Sequence, residues 1–564
     1  MNRWVYRVLQ ALLLVIPSVF SVLPGFPVHG YGFVLFLLPA LAWFRFAQQR
    51  KRIALYVLGI GLQVLAYPGP DLGFLGFVLL IPYLLAREQK DGAVRWRAAF
   101  LYGFLRAWAG FMWMGEVHLF AWLVPSLLAA LVFWAVFELL VHRVRGVPYA
   151  LRVAAAWVLF EWIHSWLFTG FPWIFLSHTQ YRFLPFIQSA DLFGAYGVSF
   201  LLAFLQAAGF EAWRRRRFRA LAVAGALVAL NLGYGLWRLE PAPESREGPG
   251  VLLVQSAITQ DVKQQRTESF DEMLRELIGL TCDGLRAHPD TALIVWAETM
   301  HPQPHVEDEE ELSRAMRRQL FRAHAARDAK RFGRAAIYGV NSYTNIGRYR
   351  ARRGFNSAVL VTKDGELAGT YRKQRLLPMG EQFMPRLVLP DETADRLIAW
   401  FVSTFGVSAI ADLETGAGFV VLDAGPGLKC APLICSEAIY PHLVRGAARQ
   451  DGVDLILHIA NHGWFKRSWQ QPQILAHWVF RAIETRLPFV SCANGGMSAA
   501  VDPSGRFQAI LGGVMEPGYL HIRVPPRGPE TPYLKGSYGL FSAFLGLAVA
   551  LCLVLARRRS KLGQ

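Results

Sequence analysis

Long apolar stretches and a central polar stretch divide the sequence into regions of two kinds. Apolar runs of about 20 residues, enough for a membrane-spanning helix, recur up to residue 237 and once more near the end of the chain. We predict spans at residues 4–22, 31–47, 53–68, 72–86, 98–118, 120–141, 152–169, 193–212, 218–237 and 537–556. The pattern therefore predicts a multi-pass α-helical membrane region at 1–237, and a C-terminal transmembrane helix with a basic tail at 536–564.

Residues 238–535 follow a different pattern, in which short Val-, Ile- and Leu-rich segments alternate with helical ones. We predict strands at 251–258, 292–298, 335–344, 357–362, 419–424, 430–435 and 454–460, and helices at 270–286, 309–331, 439–450 and 471–486. Lys363–Gly365 and Pro503–Gly505 are hairpin turn signals. A linker rich in Pro, Glu and Gly, at 241–249, precedes this region. The alternation predicts a separate α/β domain.

The distribution of charge argues against nucleic-acid binding. The chain is 54% hydrophobic with a mean hydropathy of +0.28, and its formal net charge is +18. Residues 1–237 hold 20 Lys and Arg against 8 Asp and Glu, whereas residues 238–535 hold 35 against 33. The positive excess thus lies beside the apolar spans, which is typical of the positive-inside rule and not of a basic nucleic-acid surface.

Clusters of Arg and Lys give the spans an orientation. They lie at Arg45–Arg52, Arg87–Arg97, Arg143–Arg152, Arg214–Arg219 and Arg557–Lys561. Two predicted spans separate successive clusters within 1–237, so all of these clusters can face the cytoplasm. Residues 238–535 are then predicted on the opposite side of the membrane, outside the cytoplasm. The run at 4–22 resembles a signal peptide, but the lack of a small-residue cleavage site favours an uncleaved span.

Three segments of the α/β region end on residues with reactive side chains. The strand pattern at 291–297 is followed by Glu298, the segment from Gly369 ends on Lys373, and the apolar run at 430–434 ends on Cys435 just before a helical pattern. A cysteine between a strand and a helix exposes its sulfur near backbone N–H groups. Each residue alone is more often structural, but the three together predict a base, a cation and a nucleophile.

The other cysteines do not suggest a metal site. Cys282, Cys430 and Cys492 lack the paired spacing of zinc ligands and the density of a disulfide scaffold. We expect them to be small buried apolar residues, although the sequence leaves a disulfide between two of them open. No sequence motif for a dinucleotide, a nucleoside triphosphate or a catalytic zinc is present, so no cofactor or metal is expected.

The order Glu298, Lys373, Cys435 resembles the catalytic triad of the nitrilase superfamily, and the membrane spans narrow the resemblance to the apolipoprotein N-acyltransferase family. The similarity extends roughly from Leu62 to the C-terminus and includes the motifs Phe168–Trp173, Phe355–Leu360, Tyr371–Glu381 and Ala460–Phe465. The resemblance implies an αββα sandwich fold. It also implies an enzyme whose catalytic cysteine forms an acyl thioester. It also implies a phospholipid acyl donor, typically phosphatidylethanolamine, and an acceptor that is the α-amino group of a diacylglyceryl-cysteine at an apolipoprotein N-terminus.

The resemblance also suggests supporting residues. Glu381 would orient Lys373, and Glu437 would either do the same or only bond to backbone. Trp464 would form an apolar wall for acyl chains or belong to the core. The loop 168–173 would face the reaction chamber or anchor the chain in the membrane. The charged residues of the spans are expected at headgroup level; they include Arg106, Glu138 and Glu161.

Five positions depart from the pattern of the family. Ala257 stands where Asn is usual, Gln264 where Trp is usual, and Ser436 where an aromatic residue usually follows the cysteine. His462 and Gly463 stand where Asp and Ala are usual after Asn461. Two alternatives therefore stay open beside the acyltransferase. One is a membrane-tethered amidase acting on a small amide, and the other is an inactive paralogue that binds lipoproteins.

Overall fold

The computed structural model describes most of the chain between residues 50 and 537. The described residues are 50–88, 92–144, 146–167, 170–239, 248–258, 268–306, 321–344, 353–378, 380–382, 389–405 and 413–537. The chain divides into two compact units. A mainly helical unit comprises 1–241, 465–485 and 530–564, and an α/β unit comprises 242–464 and 486–529.

The helical unit is built from apolar helices. In chain order these are α1 (Arg50–Ala66), α2 (Ile81–Arg87), α3 (Gly92–Gly110), α4 (Leu119–Arg143, with a π turn at Phe133–Glu138), α5 (Tyr149–His164), α6 (Leu184–Ile187), α7 (Ala190–Arg215) and α8 (Arg219–Arg238). Among the described residues, three of them are long and apolar enough to cross a membrane: α4, α7 and α8. They coincide with the spans predicted at 120–141, 193–212 and 218–237.

The remaining predicted spans either correspond to helices shorter than α4, α7 and α8 or lie outside the described residues. Residues 72–86 form a 3-10 turn at Gly73–Phe77 followed by α2, because Pro82 favours a new helix start rather than continuation of the turn. The predictions at 53–68, 98–118 and 152–169 overlap α1, α3 and α5. The spans predicted at 4–22 and 31–47, and nearly all of 537–556, lie outside the described residues.

Arg106, Glu138 and Glu161 of the helical unit are buried and have hydrogen-bond partners. Glu138 accepts hydrogen bonds from the Tyr83 hydroxyl and the Arg87 Nε, each at 2.8 Å. Arg106 and Glu161 are also buried. These side chains therefore lie inside the helical packing with partners, as charged groups within a membrane protein do, and their placement at headgroup level stays a prediction.

The α/β unit contains two sheets. The first has seven strands: β1 (Gly250–Gln255), β2 (Thr291–Trp296), β3 (His305–Val306), β4 (Ala335–Thr344), β5 (Arg353–Val361), β6 (Leu367–Arg372) and β13 (Gly518–Arg523). Their order is β13-β1-β2-β4-β5-β6, with β3 also on β4. β1, β2 and β4 are parallel, and β5 and β6 continue antiparallel.

The second sheet has six strands, in the order β12-β11-β10-β9-β8-β7. They are β7 (Leu422–Asp423), β8 (Lys429–Ile434), β9 (Leu455–Asn461), β10 (Phe489–Asn494), β11 (Ser498–Val501) and β12 (Phe507–Leu511). β8, β9 and β10 are parallel. Helices α9 (Glu268–Ala287), α10 (Phe321–Phe332), α11 (Asp391–Phe405) and α12 (Pro441–Ala448) belong to this unit, whereas α13 (Gln470–Thr485) belongs to the helical unit.

One hydrophobic core joins the two sheets. It includes Val254 and Val295 from the first sheet and Leu457 and Cys492 from the second. The thiol of Cys492 lies 3.4 and 3.3 Å from the carbonyl oxygens of Val254 and Val295 and shares its one hydrogen between them, so the sheets are in direct contact. Cys282, Cys430 and Cys492 are free, and the open disulfide alternative does not occur among them.

Candidate active site

The sheets bring the three predicted reactive residues together. Glu298 follows the carboxyl end of β2, Lys373 directly follows β6, and Cys435 directly follows β8. The Lys373 ammonium lies 3.7 Å from the Glu298 carboxylate, and the Cys435 thiol is within the electrostatic reach of both. Residues far apart in the sequence therefore form one cluster because their strands end at the same place.

The Glu298 carboxylate is fixed by two donors. Its Oε1 accepts from Asn356 Nδ2 at 2.6 Å, and its Oε2 accepts from the Asn461 N–H at 2.7 Å. Gly339 on β4 makes room for this arrangement, because a Cβ there would lie 2.7 Å from the Glu298 Cα. Hydrogen bonds of this kind stabilise the ionised carboxylate, so the geometry suits a base.

Lys373 lies between two carboxylates and is fully buried. Its Nζ is 2.7 and 2.8 Å from the two oxygens of Glu381, closer than to Glu298. Burial by itself would lower the pKa of Lys373, but the negative charges of Glu381 and Glu298 outweigh it, so the pKa is raised. The side chain is therefore a permanent cation that Glu381 holds in place.

Cys435 is half-buried and has a left-handed backbone with a φ of 54°. Such a φ costs roughly 1–3 kcal/mol for a residue other than glycine, and strain of this kind is typical of functional sites. Burial and the Glu298 carboxylate raise the pKa of the Cys435 thiol, while Lys373 acts in the opposite direction. The thiol therefore stays protonated at neutral pH and needs a base in order to react.

Glu437 fastens the turn that carries Cys435. Its carboxylate accepts from the Ile434 N–H at 2.8 Å, from the Gln374 and Arg375 N–H groups at 2.7 and 3.1 Å, and from the Tyr371 hydroxyl. Burial raises the pKa of Glu437 to about 7, against the effect of these donors. The contacts match the backbone-bonding alternative for Glu437, since it ties the turn after β8 to the segment after β6.

Two residues of the cluster were not singled out from the sequence. Asn356 donates to both Glu298 and Glu381, the latter at 3.1 Å, and so separates two carboxylates. His458 on β9 reaches the Cys435 carbonyl oxygen with Nε2 at 2.8 Å. The available signal in each case was a polar side chain at a position of a strand that is buried in the structure.

The other predicted residues lie in varied surroundings. Trp464 is 39% exposed in the short turn Gly463–Phe465, so it is not a core aromatic. The Ser436 hydroxyl is buried without a hydrogen-bond partner, and His462 is buried. Ala257 is half-buried, and Gln264 lies outside the described residues.

The loop 168–173 is described only from residue 170 onward. Trp173 is buried in the helical unit, where its Nε1 donates to Gln473 Oε1 at 2.6 Å. A buried, hydrogen-bonded indole does not act as an anchor at the lipid surface, so Trp173 does not fit the membrane-anchor alternative.

One group of possible metal ligands lies away from the triad. Among the described residues, ligand atoms of His288, Asp290 and His521 lie within 4.8 Å of one another. Asp290 precedes β2, whereas Glu298 follows it, so the group is at the other end of that strand. Asp290 is also paired with Arg523. The triad itself offers a base, a cation and a thiol, which suffice for acyl transfer.

Comparisons with known proteins agree with both parts of the chain. Residues 59–208 match the family model for the apolipoprotein N-acyltransferase N-terminal domain, and residues 253–523 match carbon-nitrogen hydrolase. A relative named apolipoprotein N-acyltransferase from Geobacter metallireducens is 31% identical over 485 residues, covering 82% of this chain and 87% of the relative. One of the same name from Caulobacter vibrioides is 30% identical over 554 residues, covering 92% and 97%.

Solved structures similar to the chain include a carbon-nitrogen hydrolase from Helicobacter pylori, at 18% identity and a TM-score of 0.34, covering 50% of this chain and 89% of that one. An amidase from Nesterenkonia sp. has 17% identity and a TM-score of 0.35, covering 54% and 99%.

Proposed function

The chain belongs to the apolipoprotein N-acyltransferase family, whose activity is the N-acylation of lipoproteins, and we propose that it catalyses this reaction through a thioester on Cys435. The observation that carries the proposal is the convergence of Glu298, Lys373 and Cys435 at the carboxyl ends of three strands. The cluster pairs a protonated thiol with a hydrogen-bonded carboxylate and places a cation beside both.

In the first half-reaction Glu298 takes the thiol proton, and the sulfur of Cys435 attacks an ester carbonyl of a membrane phospholipid. The oxyanion that forms is stabilised by the Lys373 ammonium and by a backbone N–H beside Cys435. When the ester C–O bond breaks, Glu298 returns its proton to the leaving alkoxide. The products are a lysophospholipid and an acyl thioester.

In the second half-reaction the α-amino group of a diacylglyceryl-cysteine attacks the thioester carbonyl. Glu298 takes up the proton that the amine loses, and the C–S bond breaks. The proton then returns to the sulfur of Cys435. The apolipoprotein leaves with an amide-linked acyl chain, and the enzyme is restored for another cycle.

The substrates require a membrane location. We place the chain in the bacterial inner membrane as a multi-pass protein, with residues 238–535 on the periplasmic side. Three described helices are long and apolar enough to span, and the basic cluster Arg214–Arg219 lies between two of them, α7 and α8. A reporter that is active only in the periplasm should be active when fused near Glu240 and silent after Lys561, and the reverse pattern would refute this orientation.

The thioester can be tested with purified enzyme and phosphatidylethanolamine alone. Intact-protein mass spectrometry should show one added acyl group, released lysophospholipid should match it, and neutral hydroxylamine should remove it. Replacement of Cys435 by Ser should prevent the adduct. A peptide with a diacylglyceryl-cysteine N-terminus should discharge the acyl-enzyme, whereas the same peptide with a blocked α-amine should not.

The same experiment separates the alternatives. An amidase would hydrolyse a small amide and gain no acyl group from phospholipid. An inactive paralogue would bind the lipopeptide without turnover. If lysophospholipid appeared only in the presence of the acceptor, and no acyl-enzyme ever accumulated, direct transfer in a ternary complex would replace the thioester mechanism.

A further inference from the structure

A buried histidine contacts the main chain of the proposed nucleophile. His458 lies in the middle of β9, where every residue is buried, and its own side chain has no exposed surface. Its Nε2 is 2.8 Å from the carbonyl oxygen of Cys435, and its Nδ1 is 2.9 Å from the Ser491 hydroxyl on β10. The ring therefore connects the turn after β8 with the two neighbouring strands.

The two contacts determine which ring nitrogen carries the proton. A carbonyl oxygen only accepts hydrogen bonds, so Nε2 must donate to Cys435. Burial lowers the pKa of His458 to about 4, so the ring is neutral at neutral pH and Nδ1 is unprotonated. The Ser491 hydroxyl then donates to Nδ1, and this bond holds the tautomer in which Nε2 is the donor.

The Cys435 carbonyl shares a rigid peptide plane with the next N–H group. The described residues contain no cis peptide, so the C=O of Cys435 and the N–H of Ser436 point in opposite directions from one planar unit. A hydrogen bond that fixes the carbonyl consequently fixes the direction of the Ser436 N–H. That N–H is the first backbone donor after the residue that carries the sulfur.

We propose that His458 is a positioning residue for acyl transfer, which aims the Ser436 N–H at the oxyanion by anchoring the Cys435 carbonyl. The inference rests on the proposed function, because the oxyanion is the one formed during attack by Cys435. His458 contacts no substrate in this role. It acts only through the peptide that it holds.

The left-handed backbone of Cys435 explains why such an anchor is needed. A residue with a φ of 54° tends to relax to a more favourable conformation unless neighbouring groups hold it. Glu437 holds the N–H of Ile434 before Cys435, and His458 holds the carbonyl after it. Without His458 the peptide between Cys435 and Ser436 loses this restraint, and the direction of the Ser436 N–H changes while Cys435 stays at the end of β8.

The test compares two amide replacements of different length. In His458→Gln the amide nitrogen is as many bonds from Cα as the His Nε2, so it can still donate to the Cys435 carbonyl. In His458→Asn the amide reaches only as far as Nδ1, so the contact is lost. Because complete removal of an oxyanion donor costs about 10²–10³-fold in rate, the Asn variant should acylate from phosphatidylethanolamine at least roughly tenfold more slowly than wild type. The Gln variant should recover most of that loss.

Alkylation of Cys435 by iodoacetamide supplies a readout that a merely structural role would not reproduce. This displacement forms no oxyanion, so its rate should be the same in wild type and both variants while acylation differs. Equal acylation by the Asn variant and wild type would overturn the inference. A parallel fall in alkylation would also overturn it, because it would indicate a general loss of structure around the sulfur.

Two further results complete the test. If thermal unfolding shows that the Asn variant does not fold, Ser491→Ala takes its place. This variant removes the hydroxyl that donates to Nδ1 of His458. Slower acylation with unchanged alkylation is again expected. Unchanged acylation in Ser491→Ala would then overturn the inference. A wild-type enzyme that gains no acyl group from phospholipid would instead refute the proposed thioester, which separates that failure from a failure of the role of His458.

Discussion

Replacing Glu381 by Gln removes one charge beside Lys373 and leaves the shape of the side chain nearly unchanged. The Lys373 Nζ is 2.7 Å from Glu381 and 3.7 Å from Glu298. At an effective dielectric constant of about 20, these distances correspond to attractions of about 6 and about 4.5 kcal/mol. In the wild type the stronger attraction keeps the ammonium on the Glu381 side, so Glu298 remains available as a base.

In the Glu381→Gln variant the stronger of these attractions is lost, and the ammonium should move toward Glu298. A displacement of about 1 Å at an active site can cost about 100-fold in rate, which corresponds to about 2.7 kcal/mol. We expect such a loss in the rate of acyl-enzyme formation, with residual activity well above that of Cys435→Ser. The protein should still fold, since the variant keeps part of the hydrogen bonding.

Rapid-quench mixing with phosphatidylethanolamine, followed by intact-protein mass spectrometry, measures the acylation rate directly. Glu366→Gln, the same change in the exposed hairpin between β5 and β6, is the matched control and should acylate like wild type. A wild-type rate in Glu381→Gln would refute the holding role. A complete loss of acylation, equal to the loss in a variant that lacks the charge of Lys373, would mean that Glu381 takes part in the chemistry itself.

Three further predictions follow from the same contacts. Glu298 raises the pKa of the Cys435 thiol and Lys373 lowers it. The pH profile of iodoacetamide alkylation should therefore shift to lower pH in Glu298→Gln and to higher pH in Lys373→Met. Shifts of both variants in the same direction would contradict these opposite effects on the thiol. Gly339→Ala should slow acylation about 100-fold, because the new Cβ would lie 2.2 Å from the Ala297 oxygen and displace Glu298. An unchanged acylation rate would show that the displacement of the segment after β2 is tolerated. Glu437→Gln should lower the free energy of unfolding by about 1–3 kcal/mol in urea titrations, because an amide cannot accept from all four donors, and unchanged stability would refute the fastening role.

Local patterns were enough to predict most of the α/β fold. The strand at 335–344 coincides with β4, the two hairpin turn signals lie between paired strands, and the apolar run ending at Cys435 is β8 followed by a turn. The strands at 489–494, 498–501, 507–511 and 518–523, the two-residue β3 and helix α11 were not among the predicted elements. In β10 the polar residues Ser491 and Asn494 interrupt a short strand in which every residue is buried, so neither an apolar run nor an alternation marks it. In β13, His521 and Arg523 occupy half-buried positions of an edge strand and weaken the apolar pattern.

The three proposed catalytic residues could be singled out from the sequence because each stands just after a strand, whereas their partners could not. Asn356 contacts Glu298 across 58 positions of sequence, and the Asn461 N–H contacts the same carboxylate across 163. Such pairs depend on which strands become neighbours, and strand order is not encoded in local periodicity. The sequence shows only that a polar residue occupies a buried strand, and it does not show which group that residue will meet.

The turn at Cys435 shows how the departure at Ser436 is compatible with an intact site. The Ser436 hydroxyl makes no hydrogen bond, so its side chain contributes little to holding the strained backbone. The restraint comes instead from main-chain contacts on both sides of the cysteine, through Glu437 and His458. Because these two buried side chains contact main-chain atoms, they hold the backbone of the turn whichever side chain stands at position 436. The identity of residue 436 is then free to vary with the substrate, while the direction of its N–H is not.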